Sequence, residues 1–181
     1  MVPIKDVKTF VRTMRAVCQR MPDAVGWVAG PEEEDPDYAT ECRELAQSLG
    51  IADKVDFMGF QKIDELLPLV GVNVLTSISE AQPLVVLEGF AAGVPCVSTD
   101  VGCCRELVMG TALAEDRAIG AAGSIVEIAD PESTANEICG LLGDADRWKA
   151  AQAAGIARVE RFYSEKKMLA RYADIYAGAI K

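Results

Sequence analysis

Apolar side chains recur at helical spacing near the start of the chain. Val7, Phe10, Val11, Met14 and Val17 fall three and four residues apart, which puts them on one face of an amphipathic helix. Asp6, just ahead of them, is placed to cap that helix, which the pattern predicts to run to about Arg20. The preceding Val2-Pro3-Ile4-Lys5 reads as the last residues of a strand. Beyond the helix the period changes. Residues 24–29 (AVGWVA), 55–58, 72–75, 96–98 and 124–128 are short, nearly continuous apolar runs. Such runs predict strands buried on both faces. Helices are predicted between them: 36–49 with Gly50 as its stop, 63–69, 83–92 with Gly93 as its stop, and 131–142 behind the capping residue Asp130. Two long helices fill 146–181. Alternating strands and helices predict an α/β fold, a doubly wound parallel sheet (Rossmann-like) with helices on both faces and right-handed crossovers. Ligands on such a sheet bind beyond the C-terminal strand ends, which directs attention to the loops after Val28, Met58, Leu75 and Ser98. Residues 109–123 have no clear period and read as a long loop inside one domain.

Composition narrows the chemistry. A chain of 181 residues that is 50% hydrophobic can bury a core without disulfide or metal staples. With 18 Lys+Arg against 28 Asp+Glu the net charge is −10, a field that repels nucleic acid, and no nucleic-acid partner is expected. The chain contains no His. That removes the commonest general base and zinc ligand, and it excludes a Ser-His-Asp or Cys-His hydrolase built from this chain alone. No metal site is expected. The six cysteines form no C-x-x-C pair and read as free thiols in a reducing cytoplasm, the adjacent Cys103 and Cys104 included. The acidic run at 32–35 reads as a solvated loop. The most apolar stretch, 83–97, is interrupted by Glu88, Gly93 and Pro95 and is too short to cross a bilayer.

The informative stretch is SEAQPLVVLEGFAA, residues 79–92. It sets Glu80 in the loop before a helix and Glu88 within it. Glu88 stands about 7.5 Å of helix rise beyond Pro83. An anion at the helix start would meet unpaired N–H groups and the positive end of the macrodipole. A carboxylate further along could grip hydroxyls attached to the same anion. Diphosphate at the helix start and vicinal hydroxyls on Glu88 describe a nucleotide. By spacing alone, a plainer reading comes first: a helix with one exposed Glu and a loop Glu that caps it.

The surrounding residues change that order. The segment VLTSISEAQPLVVLEGFAAGVPCVSTDVGCCREL resembles the donor-binding region of glycosyltransferase family 4, through Ser77, Glu80, Leu84, Leu87, Glu88, Ala91, Gly93, Pro95, Val97, Thr99, Gly102 and Glu106. The variants S-E-A-Q-P-L and T-D-V-G-C-C-R-E-L are most similar to the PelF group of Pel exopolysaccharide transferases. Ala81 and Pro83 stand where the family usually has Gly, and Cys103 where a second Gly is usual. Pro83 also lacks an N–H.

The resemblance implies the C-terminal, donor-binding half of a GT-B enzyme. Residues 1–181 would be one nucleotide-sugar-binding domain, truncated at its N-terminus within the first strand. The N-terminal acceptor domain would be absent, and the fragment inactive alone. It implies retaining transfer from a nucleotide sugar, UDP-glucose or a related UDP-sugar, with no permanently bound cofactor and no metal. Lys5 and Glu80 would be catalytic, Lys5 facing the diphosphate and Glu80 the donor sugar's hydroxyls. Glu88 would accept from the ribose, the backbone of Gln82, Leu84 and Val85 would meet the donor, and Phe60 and Gln61 the base. A cytoplasmic enzyme associated with a membrane-bound polysaccharide synthase complex is the implied setting.

Two other classes are set against this. A dinucleotide oxidoreductase needs G-x-G-x-x-G after its first strand, but Ile4-Lys5-Asp6-Val7 has no Gly. A non-catalytic α/β nucleotide-binding or regulatory module stays open, and titration with UDP separates it from a transferase.

Overall fold

The helix expected behind Asp6 forms as α1 (Val7–Arg20), and the Asp6 carboxylate accepts the Thr9 N–H at 3.2 Å. The computed structural model describes residues 1–179. After α1 come β1 (Gly26–Ala29), α2 (Pro36–Ser48), β2 (Val55–Gly59), α3 (Ile63–Leu66), β3 (Asn73–Leu75) and α4 (Leu84–Ala91). The chain continues as β4 (Cys96–Thr99), α5 (Cys104–Met109), α6 (Ala114–Arg117), β5 (Gly123–Val126), α7 (Pro131–Gly143), α8 (Ala145–Phe162) and α9 (Glu165–Ala179). Asp35, Asp130 and Asp144 cap α2, α7 and α8 through their side chains. The expected extension of the last helix to Ile180 and Lys181 lies outside the described residues.

All strand pairs are parallel, as the apolar runs predict. They form two sheets, β1-β2 and β3-β4-β5. β4 is the centre of the larger sheet and all four of its residues are buried. Side chains alternate between two cores, as the pleat requires. Val97 and Val126 join the cluster of α1, α2 and α7, while Cys96 and Leu75 join that of α4, α5 and α8. This is double winding, with a helical layer on each face. Gly155 in α8 lets that helix close on α4: a Cβ there would lie 2.9 Å from the Phe90 ring.

Two expectations are corrected. Residues 3–5 are a 3-10 turn, not a strand end. The Thr76 hydroxyl lies 3.0 Å from the carbonyl oxygens of both Lys5 and Asp6, which draws them to the end of β3 and out of any ladder. The segment 109–123 is not an open loop. It carries α6, and the fully buried Arg158 of α8 pins it through Asp116 Oδ1 at 2.7 Å and the Gly120 carbonyl at 2.7 Å. α5, which precedes it, was not anticipated.

Candidate donor site at the strand ends

Residues 1–5 bridge the two sheets at their C-terminal rims. The Met1 amino group donates to the Pro31 carbonyl beyond β1, and the Ile78 N–H donates to the Ile4 carbonyl beyond β3 at 2.9 Å. The loops after β1, β2, β3 and β4 therefore open at one end of the molecule, the end where doubly wound sheets bind ligands.

Lys5 projects from the 3-10 turn and its Nζ donates to Glu80 Oε1 at 2.6 Å. The buried Ser77 hydroxyl donates to the same oxygen at 2.7 Å. Glu80 is largely covered, with a side chain 12% exposed, while Lys5 keeps 49% of its side chain in solvent. Oε1 is thus engaged twice. Oε2 takes no hydrogen bond among the described residues and is open to a ligand hydroxyl.

Two contacts hold the Glu80 loop still. The Thr99 hydroxyl at the end of β4 donates to the Ser77 carbonyl at 2.7 Å. The Cys103 N–H donates to the Ala81 carbonyl at 3.0 Å. Between these anchors Gly102 has φ +53, and a Cβ there would stand 2.3 Å from the Glu80 carbonyl oxygen. Only glycine accommodates both the left-handed backbone and the approach.

α4 starts directly behind this loop. Pro83 occupies its N-cap position and contributes no side-chain cap. Among the described residues no hydrogen bond engages the N–H of Leu84 or Val85, so two helix-start donors are open. Glu88 is exposed more than a turn further along. Asn73 Nδ2 donates to the Val85 carbonyl at 2.9 Å and lies where a Cβ on Gly89 would sit, which fastens α4 onto β3.

The structure thus joins Lys5 and Glu80 directly and sets Gln82, Leu84, Val85 and Glu88 in succession along the entry and first turns of α4. Phe60 and Gln61 follow β2 on the other sheet. Phe60 is 79% exposed, and Gln61 Nε2 donates to the Met58 carbonyl at 2.7 Å. Among the described residues no hydrogen bond or ion pair ties either to the Lys5–Glu80 cluster. Ser77, Thr76 and Thr99 belong to the site as positioning groups that sequence reading did not assign. The three-residue step from Ser77 to Glu80 was the visible signal. Burial pushes the thiols of Cys103 and Cys104 up, so neither is a thiolate near neutral pH. Among the described residues no cluster of three His, Cys, Asp or Glu side chains is arranged to hold a metal ion, and no helix is long and apolar enough to cross a membrane.

Comparison with known proteins gives this geometry relatives. Residues 1–144 match the family model described as Glycosyl transferases group 1. The chain is 31% identical over 186 residues to the D-inositol 3-phosphate glycosyltransferase of Salinispora tropica, a match that takes in 98% of this chain and 36% of that relative. Its fold is similar to Anabaena HepE, solved in complex with UDP and glucose, with a TM-score of 0.83 at 20% identity over 98% of this chain and 46% of HepE. It is also similar to the C-terminal domain of LpcC, a glycosyl transferase group 1 family protein of Francisella tularensis, with a TM-score of 0.77 at 20% identity over 91% of this chain and 83% of that one. The chain spans 36% of its curated relative's length, whereas it spans most of a protein that is a C-terminal domain alone.

Proposed function

The chain belongs to the group 1 glycosyl transferases, and on that footing we propose that it is the donor-binding domain of a retaining, UDP-sugar-dependent transferase. The observation that carries the reading is the start of α4. Two open N–H groups stand there, the Lys5–Glu80 pair lies on the segments leading in, and Glu88 is exposed further along. A diphosphate would take the helix-start donors and the Lys5 ammonium, an arrangement that stabilises a leaving phosphate electrostatically. When the diphosphate takes Lys5, Glu80 keeps its bond to Ser77 and presents Oε2 to the donor sugar's hydroxyls. Glu88 accepts from the ribose hydroxyls, and Phe60 and Gln61 meet the base.

The finer assignment is UDP-glucose or a related UDP-sugar, in a cytoplasmic PelF-like enzyme of bacterial exopolysaccharide synthesis that associates with a membrane-bound synthase complex. The S-E-A-Q-P-L and T-D-V-G-C-C-R-E-L segments support the grouping, and the UDP seen with HepE supports the nucleotide. In this reading residues 1–181 are one nucleotide-sugar-binding domain and the acceptor domain lies elsewhere in the enzyme, so the isolated chain transfers no sugar.

Calorimetric titration of the full-length enzyme with UDP and 2′-deoxy-UDP tests it. A hydrogen bond to a charged carboxylate contributes about 1.5–3 kcal/mol. Glu88→Ala is expected to weaken UDP binding at least about tenfold, since roughly 1.4 kcal/mol is one decade. Glu88→Gln loses less, because its amide oxygen still accepts. Equal binding of both ligands by the unaltered enzyme, with no change in Glu88→Ala, would remove Glu88 from the ribose and defeat the reading.

A further inference from the structure

The two partners of the Lys5–Glu80 ion pair are held unequally. The Glu80 side chain is largely covered, and its Oε1 accepts the hydroxyl of Ser77, a residue with no exposure, at 2.7 Å. The loop on either side of it is fastened by the Thr99 hydroxyl on the Ser77 carbonyl and by the Cys103 N–H on the Ala81 carbonyl. Lys5 is held through its backbone alone. Its carbonyl lies 3.0 Å from the Thr76 hydroxyl, and the Ile4 carbonyl beside it accepts the Ile78 N–H. Its side chain is half exposed, and among the described residues Nζ makes one hydrogen bond, to Glu80 Oε1. A flexible four-carbon stem with its head in water turns at little cost, whereas a covered, hydrogen-bonded carboxylate does not. Among the described residues no other cation is paired with Glu80. The ammonium that a diphosphate would take is therefore the one that neutralises Glu80.

We propose that Glu80 and the diphosphate compete for Lys5, so that one ion pair couples recognition of the diphosphate to recognition of the sugar. The inference rests on the proposed function, in which a nucleoside diphosphate binds at the start of α4 and takes Lys5. In the empty site Lys5 closes on Glu80. When the diphosphate arrives, Nζ turns from Oε1 to a phosphate oxygen, with no covalent bond changed and no proton moved. Glu80 keeps the Ser77 bond, loses its paired cation and faces a second anion. Leaving a covered carboxylate in that state is costly. Hydroxyl groups of a sugar on the same diphosphate are placed to offset that cost by donating to the carboxylate. A nucleoside diphosphate without sugar has nothing to offer there and bears the whole cost of opening the pair. Because coupling is reciprocal, a hydroxyl donor on Glu80 also makes Lys5 more available to phosphate.

A double-mutant cycle in the full-length enzyme, read by calorimetric titration with UDP and with UDP-glucose, tests it. The four proteins are the unaltered enzyme, Lys5→Met, Glu80→Gln and the double variant. Lys5→Met is expected to weaken UDP binding by about tenfold or more. Glu80→Gln keeps an acceptor for Ser77 but releases Lys5, and it is expected to tighten UDP binding. That gain should be about three- to fivefold larger with Lys5 present than in the Lys5→Met background, the upper range for a half-exposed ion pair. The same substitution should tighten UDP more than UDP-glucose, whose hydroxyls already compensate Glu80. If Glu80→Gln does not fold, Glu80→Asp, which draws the charge back from Lys5 by one methylene, takes its place with the same excess gain expected. An equal gain in both backgrounds would reduce the effect to plain repulsion between Glu80 and phosphate and overturn the proposal. An equal gain for UDP and UDP-glucose would overturn the coupling. In either case a weakened Lys5→Met leaves the proposed function standing. UDP binding that is absent from the unaltered enzyme, or indifferent to Lys5→Met, brings down the inference together with the role given to Lys5.

Discussion

Arg158 shows how much one buried side chain can organise. Its guanidinium has no exposure and donates to the Asp116 carboxylate and to the carbonyls of Val108 and Gly120, so α8 reaches across to hold α5, α6 and the entry to β5. Nothing in the local sequence of 109–123 announces this, because the ordering partner lies some forty residues further on. Removing one member of a buried pair leaves the other charge stranded, at a cost of about 3–5 kcal/mol. Arg158→Met is therefore expected to lower the unfolding free energy by that amount, read from urea denaturation. Asp116 adds a pH signature. Burial pushes its carboxyl up, but the Thr111 N–H and the Arg158 guanidinium outweigh burial and hold it below the usual carboxylate range. A folded-state value below the unfolded one, about 3.9, means that the stabilisation is complete above that pH. It is lost as pH falls through the lower folded value. An Asp116→Asn variant should accordingly be less stable than the parent at pH 7, with the gap narrowing in urea titrations taken toward pH 3.

At the scale of elements, legibility followed length and local chemistry. α1, α2 and α7 were readable because each carries an Asp cap and enough turns for the apolar period to repeat. α5 was not, since its six residues bury only Cys104, Leu107 and Val108 and give a single repeat of the spacing. The strands were readable as apolar runs, but no local pattern could tell that β1 and β3 would stand apart. In the candidate site, Glu80, Gln82, Leu84, Val85 and Glu88 share one short segment, so a resemblance carried by that segment reaches all five at once. The Lys5–Glu80 bond spans 75 residues of sequence, so no local pattern predicts it, and the resemblance implied only a separate role for each residue. The contact between the loops after β3 and β4 has the same long-range origin, and it rests on Gly102. A Cβ there collides with backbone rather than with a movable side chain, and strained left-handed backbone alone costs about 1–3 kcal/mol. Gly102→Ala is expected to shift the loop that carries Glu80. It should lower UDP affinity in the full-length enzyme more than it lowers the melting temperature, and calorimetric titration beside thermal unfolding separates the two effects.

For the whole molecule, the two helical layers account for α1 to α8 but not for α9. That helix buries no side chain, although Met168, Leu169, Tyr172, Ile175 and Tyr176 are large, apolar or aromatic, and between 50% and 63% exposed. Tyr172 and Tyr176 stack on each other with ring centroids 6.3 Å apart, so the aromatic surface is shared within the helix and not with either core. Stability drawn from burial depends little on residues that join neither core and stay half or more exposed. Deleting residues 165–181 should consequently leave the urea midpoint of the chain nearly unchanged, within about 0.5 kcal/mol, the range of ordinary surface changes. The same deletion should cut binding of the fluorescent dye ANS, which reports exposed apolar surface. A large fall in stability would mean that α9 packs on the body in solution. Unchanged dye binding would mean that the apolar cavity between β1 and β3, lined among others by Phe10, Trp27 and Val72, and not the terminal helix, dominates the apolar surface of the molecule.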